Sequence, residues 1–147
     1  MSQNIKHVQM IRSVAIVDDA SAVSYCTDIS AADYVHVVVW LNATDIALTA
    51  LKLQEADAVD SATALTSGAD ITGLTFASEL PSATDDNKGY LFAFPTQGRK
   101  KYINIVATVG NGSTGAYVTA HAVLFNLDKH AYNTTDYGVA GIKILPA

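Results

Sequence analysis

The chain has little cysteine, little charge and no long apolar run, and each shortage excludes a class of protein. The single cysteine, Cys26, cannot form a disulfide within the chain, which excludes a small scaffold held together by disulfides. Only 16% of the 147 residues are charged and the net charge is −5. A general nucleic-acid binder needs a basic face, so this balance argues against one. The longest apolar run, residues 34–41, is far too short to cross a bilayer.

Helical periodicity is also missing. No stretch of helical length repeats apolar residues at positions i, i+3 and i+4, whereas short runs rich in Val, Ile, Thr and aromatic residues recur between turn residues. The sequence therefore predicts an all-β chain of about eight short strands. We expect two packed antiparallel sheets, an antiparallel β-sandwich of jelly-roll type.

Length and composition predict one domain with two distinctive ends. Residues 1–12 are polar, lack a core-forming period and are predicted to be an N-terminal arm, and residues 13–147 a single β-sandwich domain. The apolar C-terminal segment, residues 139–147, needs a surface to dock on, in its own sheet or on a neighbouring subunit. Half of the residues are hydrophobic, which favours a subunit of an assembly.

Two central segments differ in their pattern. Residues 34–41 would be apolar on both faces of a strand, which predicts a central strand that is covered on both sides. Residues 47–55 alternate, with Leu51 on one face and Lys52 on the other, so that strand has one wet face. Residues 56–69 are small and polar, and we expect a long loop there.

A glycine-rich stretch at residues 110–115 has the letters of a dinucleotide-binding loop. Such a loop needs a helix directly after it, because the N–H groups at the start of the helix hold the pyrophosphate. Residues 102–108 before it and 116–125 after it have strand composition instead. The stretch is predicted to be the tip of an antiparallel hairpin, with no nucleotide or other cofactor bound.

The sequence offers no set of residues arranged for catalysis. There is no G-x-S-x-G turn, and the four histidines lack metal-binding spacing. Acidic side chains form two local groups, which could bind calcium or could simply be solvated. The groups are Glu55, Asp57 and Asp60, and Asp85 and Asp86. We predict no enzyme activity and no metal site.

Several aromatic residues have spacings that suit either a sugar-stacking platform or core packing, and the sequence leaves both open. They are Tyr25, Tyr34, Trp40, Tyr90 and Tyr102.

The central part of the chain, roughly residues 34–125, resembles the small structural proteins of tailed bacteriophages that decorate the capsid, also called cement proteins. The resemblance lies in residues 37–55 (VVVWLNATDIALTALKLQE), 98–108 (GRKKYINIVAT) and 115–118 (GAYV). It implies a virion protein, made in the host cytoplasm, that binds the outer face of an icosahedral shell, often as a trimer, and bridges major capsid subunits. The sequence departs from the pattern after Glu55, where a tight turn is expected.

Three groups of residues are predicted to form interfaces. Ile5, Met10 and Ile11 are the apolar anchors of the arm, and a lone basic cluster opens a strand in an otherwise acidic protein. The third group lies in the C-terminal segment. The basic cluster is Arg99, Lys100 and Lys101, and the C-terminal group is Ile142, Ile144 and Leu145.

The expected partners are the major capsid protein and further copies of this chain, as a homotrimer. Nucleic acid, membrane and small-molecule substrates are not expected. Two other functions stay open at this stage. One is a phage tail- or fibre-associated β-sandwich that binds carbohydrate or another structural protein, and the other is an unrecognised hydrolase.

Overall fold

The computed structural model describes residues 5–16, 20–110 and 115–126. Within these ranges the chain forms antiparallel strands and no helix. The strands are β1 (Ile5–Ile16), β2 (Ser21–Val23), β3 (Thr27–Asp28), β4 (Tyr34–Thr44), β5 (Leu48–Ala56), β6 (Val59–Ser61), β7 (Ala64–Leu65), β8 (Ala69–Phe76), β9 (Gly89–Pro95), β10 (Tyr102–Val109) and β11 (Ala116–Phe125).

Two sheets account for most of these strands. The first sheet has four strands in the order β1-β11-β4-β9, and the second has the order β2-β10-β5-β8 with β3 also paired to β10. Strands β6 and β7 form a separate small hairpin. All pairs within the two sheets are antiparallel.

Strands β2 and β3 behave as one interrupted strand along β10. Between them the backbone N–H of Ser24 donates to the Ile105 carbonyl at 3.0 Å, and the Ile105 N–H donates to Ser24 Oγ at 2.8 Å. The serine hydroxyl thus replaces the backbone carbonyl that the interruption removes from the ladder. The hydrogen bond is needed because Ser24 and Ile105 are buried, so water cannot reach the Ile105 N–H in its place.

With β2 and β3 counted together and the β6-β7 hairpin set aside, the described residues contain eight principal strands. In chain order the first sheet holds strands 1, 8, 3 and 6, and the second holds 2, 7, 4 and 5. Every connection between successive principal strands crosses from one sheet to the other, except the one from β5 to β8. This is the strand order of a double-sheet jelly roll, and it confirms the predicted fold class.

The core lies between the inner faces of the two sheets. Strand β4 buries every second side chain from Val35 to Leu41, and Leu51 and Leu53 of β5 oppose them from the second sheet, all at 0% exposure. Each such side chain contributes about 1.5–3 kcal/mol by leaving water. Period-two alternation therefore determines which residues form the core. The predictions of a central strand at β4 and of one wet face on β5 are confirmed.

The predicted N-terminal arm is wrong for residues 5–12, which belong to β1 and pair with β11 from Ile5 opposite Phe125 onward. The pairing shifts register on both sides of Ile11. Because a bulge interrupts the alternation, two adjacent residues, Met10 and Ile11, are both buried. Because of these bulges, the sequence of β1 does not show a continuous period-two alternation.

The predicted hairpin between residues 102–108 and 116–125 is also wrong. Strand β10 lies in the second sheet and β11 in the first, so the glycine-rich connection crosses the sandwich. A loop of about six residues is long enough to cover the roughly 10 Å between packed sheets. Residues 56–69 are not one loop either, because they contain β6 and β7. The Cys26 N–H donates to the Ala62 carbonyl at 2.7 Å and fixes that small hairpin.

Candidate functional site

The most distinctive surface of the molecule is the outer face of the first sheet. The side chains that alternate with the buried ones along its four strands point away from the core, and almost all of them are apolar, aromatic or histidine. These positions define the outer face: Ile5, His7 and Gln9 on β1; Tyr117, Thr119, His121, Val123 and Phe125 on β11; Tyr34, His36, Val38 and Trp40 on β4; Gly89, Leu91, Ala93 and Pro95 on β9.

Large apolar side chains on this face are open to solvent within the described ranges. Leu91 is 52% exposed, Tyr117 48%, Trp40 45% and Tyr34 36%. The indole ring of Trp40 lies over its cross-strand neighbour Gly89, where a Cβ atom would come within 2.9 Å of the ring. The prediction that β4 is covered on both sides is therefore wrong for the part of the chain that the structure describes.

Histidines occupy the middle of this face. Val123 on β11 pairs with His7 on β1 and with His36 on β4. His121, two residues before Val123 on the same face of β11, pairs with Gln9 and Val38. The ring of His36 packs edge-on against Tyr34 and Phe125, with centroids 5.5 and 4.9 Å apart. Burial, and then the positive charge of His7, lower the pKa of His121 below its usual value.

The outer face of the second sheet has a different chemistry. Asp70 accepts hydrogen bonds from Lys52 Nζ at 2.7 Å and from Gln54 Nε2 at 2.8 Å, and these bonds lower its pKa. At the β2 edge, the hydroxyls of Ser21 and Thr108 lie 2.7 Å apart. That face carries charge and satisfies it internally, as an ordinary solvated sheet face does.

The structure pairs each member of the basic cluster with a carboxylate. Arg99 Nη1 lies 3.6 Å from Glu55 Oε1, Lys100 Nζ 3.9 Å from an Asp57 oxygen, and Lys101 Nζ 3.7 Å from an Asp28 oxygen. In addition, the backbone N–H of Lys100 donates to Glu55 Oε2 at 3.1 Å. The sequence predicted a lone patch of positive charge here. The structure shows instead that each positive side chain of the cluster has a carboxylate partner.

The turn before the basic cluster explains its position. The Arg99 N–H donates to the Thr96 carbonyl at 2.9 Å, and Gly98 in that turn has φ of +79°. Glycine adopts this conformation without strain. The tight turn joins β9 to β10 and brings Arg99 beside Glu55.

The apolar anchors predicted in the N-terminal arm have different positions from those expected. Met10 is 0% and Ile11 4% exposed, so both belong to the core and are not available to a partner. Ile5 is half-buried at the end of β1. Ile142, Ile144 and Leu145, and the C-terminal segment that contains them, lie outside the described residues.

The two acidic groups have structural partners. Glu55 and Asp57 belong to the ion pairs above, and Asp60 accepts the Thr66 hydroxyl hydrogen bond at 2.6 Å. Asp86 accepts the N–H of Thr44 at 2.7 Å and its hydroxyl at 2.9 Å. In residues 5–16, 20–110 and 115–126, no three histidine, cysteine or acidic side chains are grouped to hold a metal ion.

Asp85 organises the turn before β9. It accepts hydrogen bonds from Lys88 Nζ, from the Ser82 N–H at 2.7 Å and from the Tyr90 hydroxyl at 3.0 Å. These bonds hold the pKa of Asp85 well below its usual range. Burial and the neighbouring carboxylate raise the pKa of Tyr90 to about 12. Tyr90 also packs edge-on against Phe76, so it is a structural link and not part of an aromatic platform.

The aromatic residues for which the sequence left open a sugar-stacking platform or core packing are divided between several surfaces. Tyr34 and Trp40 share the outer face of the first sheet, whereas Tyr102 lies on β10 of the second sheet beside Lys101. Four residues of the outer face were not predicted from the sequence to lie at the surface: Tyr117, Val123, Phe125 and Leu91. Their signal was the apolar character of the second alternating set on β11 and β9, which suits an outer face as well as a core.

Two shallow depressions lie where β8 and β9 meet at the side of the sandwich. One of about 360 Å³ is bordered by Phe76, Glu79 and Leu91, and one of about 260 Å³ by Ile71, Phe94 and other residues of the same two strands. Both are lined mostly by side chains of the two edge strands.

Comparisons with known proteins add little to this description. In the described part of the chain no helix is long and apolar enough to span a membrane. No family of known proteins matches the chain, and no curated protein matches it. One solved structure, of Bacillus endospore appendages described as a family of disulfide-linked pili, is similar over 87% of this chain and 93% of its own, with 10% identity and a TM-score of 0.43. A likeness of that extent carries no argument about function.

Proposed function

We propose that this chain is a structural subunit of a phage virion that binds the outer surface of the capsid and stabilises the shell by bridging major capsid subunits. In this role it is no enzyme, binds no cofactor, nucleic acid or membrane, and works as a homo-oligomer, a trimer as the resemblance to decoration proteins implies. The observation that carries the proposal is the jelly roll with a complete core and one apolar outer sheet face.

A complete core with a second apolar surface is what an assembly subunit needs. The side chains between the sheets form one hydrophobic core, and the apolar side chains on the outer face of the first sheet are not part of it. Apolar patches of this kind mark contacts with other molecules in soluble proteins. The chain is thus suited to protein contacts rather than to chemistry on a small molecule.

The basic cluster has a smaller part in this proposal than the sequence indicated. Because Arg99, Lys100 and Lys101 each have a carboxylate partner, a shell would gain little by offering further carboxylates. Shell binding should therefore depend only weakly on salt, as expected for a contact made mainly by apolar and hydrogen-bonding groups.

Co-sedimentation tests the proposal directly. Shells of the major capsid protein encoded in the same genome, assembled without this chain, are mixed with increasing amounts of it and sedimented. We expect saturable binding at a fixed ratio to the capsid subunit and a higher melting temperature of the decorated shells. If the chain stays in the supernatant at every ratio, or binds without saturation, the proposed function is wrong.

A second function is favoured by the three exposed aromatic rings on one face, Tyr34, Trp40 and Tyr117. Exposed aromatic rings on one sheet face can stack on sugar rings, as a tail- or fibre-associated β-sandwich would need. Titration of the chain with host surface glycans, followed by Trp40 fluorescence, tests this function. Saturable quenching that is lost in Tyr117→Ala, which keeps Trp40 as the only tryptophan, would favour carbohydrate binding over decoration.

A further inference from the structure

We propose that the C-terminal segment, residues 139–147, pairs with the open edge of β9 in its own chain and becomes a fifth strand of the first sheet. It would then close the groove between β8 and β9. The segment itself lies outside the described residues. This choice decides between the two docking surfaces that the sequence left open, its own sheet and a neighbouring subunit. The inference is independent of the proposed function, because its test needs no shell.

Strand β9 presents an open ladder edge, since within the described ranges it pairs with β4 alone. At one end of this pair the Thr96 N–H donates to the Asp33 carbonyl at 3.0 Å. At the other end the Leu41 N–H donates to the Lys88 carbonyl at 2.9 Å. Along an antiparallel strand, residues whose backbone groups point to the partner strand alternate with residues whose groups point away. The residues of β9 whose N–H groups point to the open side are therefore Gly89, Leu91 and Ala93.

This edge is of the kind that soluble proteins cover. Strand β9 has no charged residue, and it pairs with β4 without a register shift. An apolar edge without a bulge recruits strands from other molecules, and proteins prevent this with charges, bulges, proline or a covering element. The only one of these that β9 itself supplies is Pro95, at its last position. A covering element is therefore expected along the rest of the edge.

The groove beside this edge is apolar. Its two depressions follow one another along β9, the one of about 260 Å³ beside Phe94 and the one of about 360 Å³ beside Phe92. From the other side β8 contributes Ile71, Leu74 and Phe76, and the last two are only half-buried. A strand on the open edge of β9 would remove these side chains from water, which favours its docking.

The other open edges suit the segment less well. On the β1 side the Tyr25 N–H donates to the Met10 carbonyl at 3.0 Å, so the two sheets are already joined there. Strand β8 shifts its register with β5 between Asp70 and Thr75, where Gly73 has φ of +84°. Among the described strands, β9 therefore combines an open edge, a regular ladder and apolar surface beside it.

The end of β11 gives the segment the right direction and enough reach. Phe125 lies in one row with Tyr34 and with Pro95, the last residue of β9. A segment that starts from this row runs antiparallel to β9 but parallel to β1, and the antiparallel ladder is the more stable of the two. The position beyond β9 is three strand spacings from β11, about 14 Å. The connecting residues 127–138 are twelve, and a chain of that length has a root-mean-square span of about 19 Å.

The sequence of the segment suits an edge strand. Ile142 and Ile144 alternate with Lys143, so in a strand the two isoleucines share one face and the lysine takes the other. The isoleucines are two residues apart, as are Phe94 and Phe92, so each isoleucine can fill one of the two depressions. A lysine on the outer side of an edge strand hinders pairing with a further molecule.

Tethering favours the segment of the same chain over that of another copy. A short linker that can span the distance gives its segment an effective concentration of about 1 mM at the edge. Other copies of the chain in a micromolar solution offer the same segment at a concentration about a thousand times lower. Since residues 127–138 can reach the position beyond β9, the edge is filled from within the chain.

Amide hydrogen exchange of the full-length chain, measured by NMR, tests the docking directly. We expect the N–H groups of Leu91 and Ala93 to be protected, and to exchange at least about tenfold faster in a chain without residues 139–147. The N–H groups of Phe92 and Phe94 point to β4 and are the internal control. They should stay protected in both chains, and their loss of protection would identify a shortened chain that no longer folds.

Two matched substitutions within the segment repeat the test if the shortened chain does not fold. Ile144→Ser removes an apolar side chain from the face that fills the groove, and should speed the exchange of the Leu91 and Ala93 N–H groups as the deletion does. Lys143→Ser changes the opposite face of the same strand and should leave that exchange unchanged.

Three results would overturn the inference. One is equal exchange of the Leu91 and Ala93 N–H groups in the full-length and shortened chains, and another is an equal effect of Ile144→Ser and Lys143→Ser. For the third, isotope-labelled shortened chains are mixed with unlabelled full-length chains at micromolar concentration. If Leu91 of the labelled chains becomes protected, the segment comes from another copy. Protection confined to chains that carry their own segment supports the inference, whether or not the protein binds shells.

Discussion

The Ser24 hydroxyl gives the clearest prediction at the scale of a single residue. It accepts the Ile105 N–H hydrogen bond in the buried gap between β2 and β3. In Ser24→Ala that N–H has no acceptor and no access to water, so we expect a loss of about 1–3 kcal/mol in the free energy of unfolding. Ser21→Ala is the control, since its hydroxyl meets Thr108 at the surface and its loss should cost less than about 0.5 kcal/mol. Urea denaturation measures both, and equal losses would contradict the repair role of Ser24.

The Asp85 carboxylate predicts how stability depends on pH. Its pKa is lowered by Lys88, Ser82 and Tyr90, so its contribution to stability is present above the unfolded pKa near 3.8 and is lost as pH falls below it. Asp85→Asn should be less stable near neutral pH and should flatten the acidic limb of the urea midpoint against pH. Tyr90→Phe removes one of the hydrogen-bond donors to Asp85. The acidic limb of its stability profile should lie between those of the wild type and of Asp85→Asn.

Alkaline pH acts on the same cluster in the opposite direction. The pKa of Tyr90 is raised to about 12, so its contribution is present below its unfolded value of 10 and is lost as pH rises toward 12. Tyr90→Phe should remove that alkaline limb. An unchanged alkaline profile in the variant would show that other groups determine it.

At the scale of the element, local patterns predicted central strands and failed where something interrupted the alternation. Strand β5 is found where apolar and polar residues alternate, and β4 is found at the continuous apolar run. Residues 5–12 of β1 were predicted to be an arm because the bulges beside Ile11 put two neighbouring side chains in the core. The β10-β11 pairing was wrong because a short connection favours a hairpin in any local analysis, and only the whole sandwich decides that β11 pairs with β1 and β4.

The pair of β4 and β9 makes a prediction about the outer face. Trp40 can lie flat on the sheet because its cross-strand neighbour is Gly89, and an added Cβ would come within 2.9 Å of the ring. Gly89→Ala should lift the indole from the sheet and shift the Trp40 emission at a protein concentration where only single chains are present. Ala93→Ser, on the same face opposite His36, should leave the emission unchanged. No shift in Gly89→Ala would mean that the ring is placed by other contacts.

At the scale of the whole molecule, the sequence could predict a sandwich but not which surface is left apolar. The apolar outer positions of β4 led to a prediction of burial on both sides, and no single strand shows that β11 and β9 carry the same character beside it. The face exists only when the four strands are in the order that the jelly roll gives them. The basic cluster is visible in the sequence, but its carboxylate partners are not. They lie on β3, on β5 and at the residue after β5, far from the cluster along the chain.

The same strand order predicts the result of shortening the chain at its N-terminus. Strand β1 pairs with β11, so it closes the edge of the first sheet by a contact between distant parts of the sequence. Deletion of residues 1–9 removes the register pairs from Ile5 to Gln9 and uncovers Met10, whose replacement by Ala alone should cost about 2–5 kcal/mol. We therefore expect the shortened chain to lose cooperative thermal unfolding, whereas deletion of residues 1–4 leaves every pair of β1 in place and should keep it. Calorimetry distinguishes the two. If the chain without residues 1–9 unfolds at the wild-type temperature, the first strand is an appendage and the original expectation of an N-terminal arm is right.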